Sequence, residues 1–311
     1  MGFWNTTAAA PSWISTWFPP IPGYLRLDTP ALPHIPPPYA IVRLGPDDAG
    51  EIAALWRTHY GGADWRFDAD EALVHTYVKD PRVIVLGLRT RESLWATIAA
   101  VPLGRTTMSH GATLEELYVV EGLVVHGDLR GQGVAGWMIA AIDGTLCRWT
   151  GTPFACLWAR EISVIPSFPT FVSCLPYWST DCRETSKAVA DAAAFQSFWD
   201  SVKFADPHIK VSRIDGRRGG LRYYQFGEAW VVVSDTRRRT HEGRRIYEIV
   251  WASTAAVVAA VRLDGLLFTT MDMTGRQGWT TGRAGYHAYS LYNYRAPAYG
   301  NCVIGMIREE L

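Results

Sequence analysis

VVEGLVVHGDLRGQGVAGWMIAAI, residues 119–142, decides the reading of this chain. A short valine-rich apolar run over residues 117–125 predicts a buried strand. Val134, Trp137, Met138, Ala141, Ile142, Leu146 and Trp149 follow at the i, i+3, i+4 spacing of one buried helix face. Between strand and helix stands Arg130-Gly131-Gln132-Gly133-Val134-Ala135. Glycines at such a junction let the backbone fold tightly and aim successive N–H groups outward at the positive end of the helix dipole, an arrangement that holds pyrophosphate. A bare glycine turn without a ligand is the plainer alternative.

Outward from this stretch the elements alternate. Residues 49–60 predict a helix after Asp47-Asp48, with Ile52, Leu55 and Trp56 inward, and residues 70–78 a second one. Strands are expected at 83–88, 95–101, 111–125 and 154–158. A charged, alanine-rich stretch at 183–194 marks a boundary. The second half repeats the outline: helix 195–204, strand 223–234, an arginine-rich turn, strand 247–253, helix 254–263 and strand 266–271. It has no second glycine loop. The first forty residues are proline-rich, with Pro36-Pro37-Pro38 among them, and are expected to be extended.

Composition narrows the function. With 48% hydrophobic and 19% charged residues the chain is globular. Thirty basic and thirty acidic side chains cancel, which removes the electrostatic footprint of a nucleic-acid or anionic-membrane binder. The cluster Arg237-Arg238-Arg239 with Arg244-Arg245 is expected to be a solvated hairpin turn. Five cysteines without a CxxC pair read as reduced thiols, and no secretory signal or membrane span is visible; the expectation is a soluble, cytoplasmic protein. The eight histidines show no HxxxH spacing, and there is no Gly-x-Ser-x-Gly elbow, so metal or serine chemistry has no motif here.

The spacing Arg-x-x-Gly-x-Ala resembles the acyl-CoA pyrophosphate loop of the GCN5-related N-acetyltransferase superfamily. Gly131, Gly133 and Gly136 also spell the nicotinamide-type Gly-x-Gly-x-x-Gly, but that pattern wants an acid about twenty residues on, where Cys156 stands. Over the whole chain the sequence resembles the glycylpeptide N-tetradecanoyltransferases (N-myristoyltransferases). Phe3-Trp4-Asn5-Thr6 is similar to that family's FWxT segment, and Leu25-Arg26-Leu27-Asp28 to the lead into its first domain. His59-Tyr60 with Trp65-Arg66-Phe67 resembles its HY…FRF block, and Ala99-Ala100-Val101-Pro102 its SAIP strand. His126, Leu129, Arg130 and Val134-Ala135 fall on VHxxLRxxxVAP, with Gly136 replacing proline. Ile165-Pro166 through Cys174 and Tyr177-Trp178 resemble LPKP…CRYW. Leu291 to Pro297 and Val303 to Ile307 resemble the LYNWxxP…VGLV ending.

The resemblance implies an α+β fold, an α/β sandwich of two tandem GCN5-related acetyltransferase-like domains around a continuous saddle-shaped mixed sheet flanked by helices. Its divisions would be an extended segment 1–40, an acyl-CoA domain 41–185, and a second domain 186–311 that forms the peptide groove and returns the C-terminus to the active site. It implies transfer of a myristoyl group from myristoyl-CoA to the N-terminal glycine of a protein or peptide, by a monomer, without metal, nucleic acid or stable membrane insertion. Gly122 and Leu123, matching a bulge in the family's central strand, would supply backbone amides to the thioester oxyanion, and the Leu311 carboxylate the base, with Glu309 or Glu310 as alternatives. Phe3, Trp4, Leu123, Val124, Val125 and Arg130, Gly131, Gln132, Gly133, Val134 and Ala135 would hold the acyl-CoA. Tyr60, Asp64, Phe67, Tyr177 and Tyr289 would line the peptide groove. The family's acidic loop is cut to Gly61-Gly62-Ala63-Asp64 and its late Gly-Asp-Gly turn, near Arg283-Ala284-Gly285, lacks the aspartate, so less basic acceptor peptides are expected. A small-acyl N-acetyltransferase, and an inactive acyl-CoA-binding module, stay open as alternatives.

Overall fold

The structure, a computed structural model, describes residues 23–24, 29–62, 64–108, 113–151, 154–162, 173–183, 192–201, 209–211, 220–292, 294–295 and 304–305. The strands are β1 (Gly23–Tyr24), β2 (Ala40–Arg43), β3 (Trp65–Phe67), β4 (Ile84–Arg89), β5 (Leu94–Met108), β6 (Thr113–Val125), β7 (Ala155–Ile162), β8 (Ser173–Cys182) and β9 (Ile209–Val211). They continue as β10 (Leu221–Phe226), β11 (Ala229–Thr240), β12 (Arg245–Ala252), β13 (Gly265–Thr269), β14 (Thr280–Tyr292), β15 (Tyr294–Arg295) and β16 (Ile304–Gly305). The helices are α1 (Ala49–His59), α2 (Glu71–Lys79), α3 (Val134–Thr150), α4 (Ala192–Ser201) and α5 (Ala255–Val258). The fold is α+β: a mixed sheet that runs through both halves of the chain, with helices on its faces.

Beyond the edge strand β2, which pairs with β4, the strand order is β4-β5-β6-β7-β14-β8-β13-β12-β11-β10. It reads the same from either end when β4 to β8 are matched with β10 to β14. In each half three antiparallel strands lead to a helix and then to a parallel neighbour, β6-α3-β7 and β12-α5-β13. The fifth strands are exchanged: β8 pairs with β13 of the second half, and β14 with β7 of the first. The internal repeat expected from element order is thus present in the topology, with a strand swap that element order does not reveal.

Alternation along β6 builds the two faces of the first half. Leu117 and Val119 pack with Trp56 of α1 and Tyr77 of α2, while Tyr118 and Val120 pack with Met138, Ile142 and Leu146 of α3. Helix α2 starts where Asp70 caps the N–H of Leu73 at 2.6 Å. Helix α3 ends at Gly151, whose φ of +65° is the left-handed conformation glycine tolerates. In the second half, α4 buries Phe195 and Trp199 against Tyr223, Trp230 and Val232.

Several sequence expectations are corrected. Residues 223–234 are not one strand: a two-residue turn at Gly227-Glu228 joins β10 to β11, with Gly227 at φ +62°. The helix expected over 254–263 is only Ala255–Val258, followed by tight turns to Val261. Trp149, expected on the buried face, is 52% exposed, with the Arg43 guanidinium 4.4 Å above its ring. The arginine cluster flanks a hairpin turn as expected, between β11 and β12, but its side chains are paired. Arg239 pairs with Asp68 at 2.6 Å, Arg245 with Asp235 at 3.1 Å, and Arg244 makes a two-pronged pair with Asp181. Among the described residues no helix is long and apolar enough to cross a membrane.

Candidate active site

Strand β6 is broken where the valine run meets its glycine. Ala99 pairs with Glu121 and Thr97 with Val124, so Gly122 and Leu123 together oppose the single residue Ile98. This is a β-bulge, and Gly122 sits in it at φ +61°, a conformation costly for any residue with a Cβ. A buried relay fixes it: the Trp56 indole donates to the Thr97 hydroxyl at 2.8 Å, and that hydroxyl donates to the Gly122 carbonyl at 2.9 Å. The parallel ladder between β6 and β7 covers only Leu117 to Val120. Beyond Val120 the strands no longer pair, while β6 runs on through the bulge to Val125. Leu123 and Val125 are half-buried against the α3 face, and the Val124 side chain is in the core of the other.

The chain then enters the glycine loop. Gly131 and Gly133 lie at φ +78° and +80°, and both are exposed with Gln132 between them. Gly133 is the N-cap of α3, where no side chain caps the helix. The matching helix of the second half is different, because Thr254 caps α5 by accepting from the Val257 N–H at 3.4 Å. One half therefore presents an open helix N-terminus, the other a self-capped one. Val134 is buried and Ala135 exposed. Arg130 is held by backbone: its guanidinium donates to the Val125 carbonyl at 3.2 Å and to the His59 carbonyl.

Beside this loop the imidazoles of His59 and His126 pack with centroids 4.0 Å apart, and Trp95 meets His126 edge-on at 4.8 Å. Each Nδ1 accepts a backbone N–H, His59 from Gly127 and His126 from Asp128, both at 3.3 Å. The pair borders an open cleft of about 430 Å³. Burial, then the neighbouring His126, then Arg130 push His59 below the ordinary histidine range, with Asp128 pulling the other way. An unfolded chain takes up that proton near the ordinary value of about 6.5, so folding stability should fall as pH drops through that value and level off below the folded one. Thermal melts between about pH 7.5 and pH 5 should show a shallower acid loss for His59→Asn, which keeps an acceptor for Gly127. Equal slopes would show that His59 takes no part.

On the other side of α1, Tyr60 is half-buried against Trp65 (5.6 Å) and Phe67 (5.2 Å). Phe67 itself is 2% exposed, in the core beside Trp56. A pocket of about 270 Å³ brings Asp64 and Tyr177 together with Trp65, Arg238, Glu248 and Phe268. That is below the roughly 300–1,000 Å³ of whole-ligand sites and suits a side chain. The Tyr177 hydroxyl reaches Glu248 Oε1 at 3.4 Å, and the Arg238 guanidinium lies 4.4 Å over the Trp65 ring. Sequence reading missed Arg238, Glu248 and Phe268; the one visible signal was a single acid inside the apolar run IYEIVWA. Phe3, Trp4 and Leu311 lie outside the described residues, and of Tyr289 only the backbone is described, in β14 between Ala159 and Ser173. The described cysteines 147, 156 and 182 are buried thiols, and burial drives Cys156 well above the ordinary thiol range, which disqualifies it as a nucleophile.

No family model matches the chain, and no curated protein matches it by sequence. Solved structures do. A Saccharomyces cerevisiae N-myristoyltransferase with bound myristoyl-CoA superposes with a TM-score of 0.70 over 94% of this chain and 92% of that one, at 12% identity. A second structure of the yeast enzyme, with bound myristoyl-CoA and inhibitors, gives 0.69 at 13% identity over 94% and 89%. The fold is that of N-myristoyltransferase. At such identity the likeness carries the N-myristoyltransferase-like architecture and leaves chemistry to the residues.

Proposed function

We propose that this protein transfers an acyl group from acyl-CoA to a peptide amine, with myristoyl-CoA as donor and an N-terminal glycine as acceptor. The observation that carries this reading is the bulge at Gly122-Leu123, set where the β6–β7 ladder ends and upstream of the glycine loop that opens α3. An acyl-transfer centre needs two donors at the carbonyl oxygen, and a bulge frees successive N–H groups from the ladder to supply them. The residues fit an acyl-CoA. The backbone of Leu123, Val124 and Val125 would run beside the pantetheine, Gly131 to Ala135 would receive the pyrophosphate, and Arg130 would add charge on leaving its carbonyl partners. Phe3 and Trp4 would cover the nucleotide.

The acceptor would enter on the α1/α2 face, past Tyr60 and Asp64 and into the pocket with Tyr177 and Glu248, with Tyr289 along the way. Phe67 would support that wall from beneath. The terminal carboxylate of Leu311 remains a candidate base. In this scheme residues 41–185 bind the donor and residues 186–311 form the groove, in a monomeric cytoplasmic enzyme. A donor with about fourteen carbons is favoured over acetyl by roughly 0.8 kcal/mol for each CH2 buried.

The test is to mix the protein with myristoyl-CoA or acetyl-CoA and glycine-ended peptides that vary in charge, then follow peptide mass. One myristoyl group gained on the glycine amine is the expected result, without the strong preference for lysine that the reduced acidic loop argues against. Gain from acetyl-CoA alone would replace the donor assignment, and acyl-CoA binding without transfer would make the protein a binding module. Gly133→Val should raise the dissociation constant for acyl-CoA about tenfold, since a β-branched residue at φ +80° costs on the order of 1–2 kcal/mol, which the loop sheds by leaving the conformation proposed to receive the anion. Calorimetric titration reads it, and unchanged affinity would remove the loop from the site.

A further inference from the structure

Glu121 is a lone acid in the valine run of β6, one peptide bond from the bulge, and nothing above gives it work. Alternation places it on the face of Leu117 and Val119, toward α1 and α2. There the Tyr77 hydroxyl donates to its Oε1 at 3.0 Å and orients the carboxylate. The side chain is half-buried, so a ligand can reach it. Helix α3 and its glycine loop lie against the opposite face, with Tyr118 and Val120. Donor loop and carboxylate thus approach the bulge from opposite faces, and the carboxylate shares its face with Tyr60 and Trp65.

We infer that Glu121 accepts the proton of the incoming ammonium. The inference rests on the acyl-transfer reading. The acceptor R–NH3+ gives one proton to the Glu121 carboxylate, and the freed lone pair forms the N–C bond at the thioester carbonyl. Gly122 and Leu123 N–H groups hold the oxyanion. As the C–S bond breaks, the nitrogen loses its second proton to the departing sulfur, giving amide and CoA thiol, and Glu121 returns its proton to water. An α-amine with a pKa of about 8 is already neutral in roughly a tenth of molecules near pH 7, so the base has a modest gap to close.

The test is kcat and KM against pH for the full chain and Glu121→Gln, with peptide and myristoyl-CoA. At pH near 7 kcat should fall about 10²–10⁴-fold with KM for acyl-CoA little changed, and the deficit should shrink above about pH 8 as the amine ionises unaided. A merely structural role would lower the rate equally at every pH. Glu121→Asp should recover part of the rate, and Tyr77→Phe, which frees the carboxylate to turn, should lose part of it. These two decide the matter if Glu121→Gln does not fold, and wild-type profiles for both would overturn the inference. So would a Glu121→Gln enzyme with the wild-type profile, above all if trimming Leu311 abolishes transfer. Wild-type protein that transfers nothing would overturn the acyl-transfer reading and this inference with it, a result distinct from the others.

Discussion

Gly122→Ala should cost ~10²–10³-fold in kcat while leaving acyl-CoA affinity nearly intact. The reason is geometric. At φ +61° a Cβ meets the neighbouring carbonyl, a penalty of roughly 1–2 kcal/mol that alanine avoids by flattening the bulge toward regular strand. A flattened β6 returns the Leu123 N–H to the ladder with β5 and withdraws one of the two oxyanion donors. With acyl-CoA held by Gly131 to Ala135, as proposed, binding should survive, so the loss belongs to kcat and not to KM. Single-turnover acyl transfer with a titration of acyl-CoA binding measures both. An alanine variant that keeps the wild-type kcat would remove the bulge from the chemistry.

Trp56→Ala should produce the largest stability loss, about 3–5 kcal/mol, which for a chain of this size lowers Tm by on the order of 10 °C. Trp56 is 1% exposed and touches Phe67 and Tyr77 edge-on, each at 6.0 Å. Its indole N–H also heads the relay through Thr97 to the Gly122 carbonyl. Trp56→Phe separates the two roles. It keeps most of the packing and loses one buried hydrogen bond, about 1 kcal/mol, yet it frees Thr97 to rotate away from Gly122. Acyl transfer should therefore drop more than the small fall in Tm would suggest. Melting curves beside kcat for the two variants check this, and a phenylalanine enzyme with full activity would show that the bulge holds without the relay.

What could be read from the sequence follows how local each signal is. The loop and α3 were legible because their glycines and their 3.6-residue periodicity lie within one short stretch. The bulge was not legible from the residues themselves, since a glycine among valines fits a flat strand equally well; only the family resemblance pointed to it. The hairpin at Gly227 escapes notice because aromatic and valine residues flank a turn signal of only two residues, Gly227-Glu228, and the two strands read as one run. The pocket around Glu248 was beyond reach for another reason: Asp64, Tyr177, Arg238 and Phe268 come from separate strands and a loop, and no window of sequence holds them together. Ion pairs such as Arg239 with Asp68 hid the fate of the arginine cluster in the same way.

The exchanged strands β8 and β14 bear on whether the two halves can be separated. Each half completes its sheet with a strand encoded in the other, β8 beside β13 and β14 beside β7. A cut in the link between them would yield two polypeptides that each lack a neighbour for an inner strand, so the two halves should fold only together. The second half can thus carry a helix as short as Ala255–Val258, closed at its N-terminus by Thr254, and still be needed to complete the sheet. The second half is the scaffold on which the first half's sheet is finished.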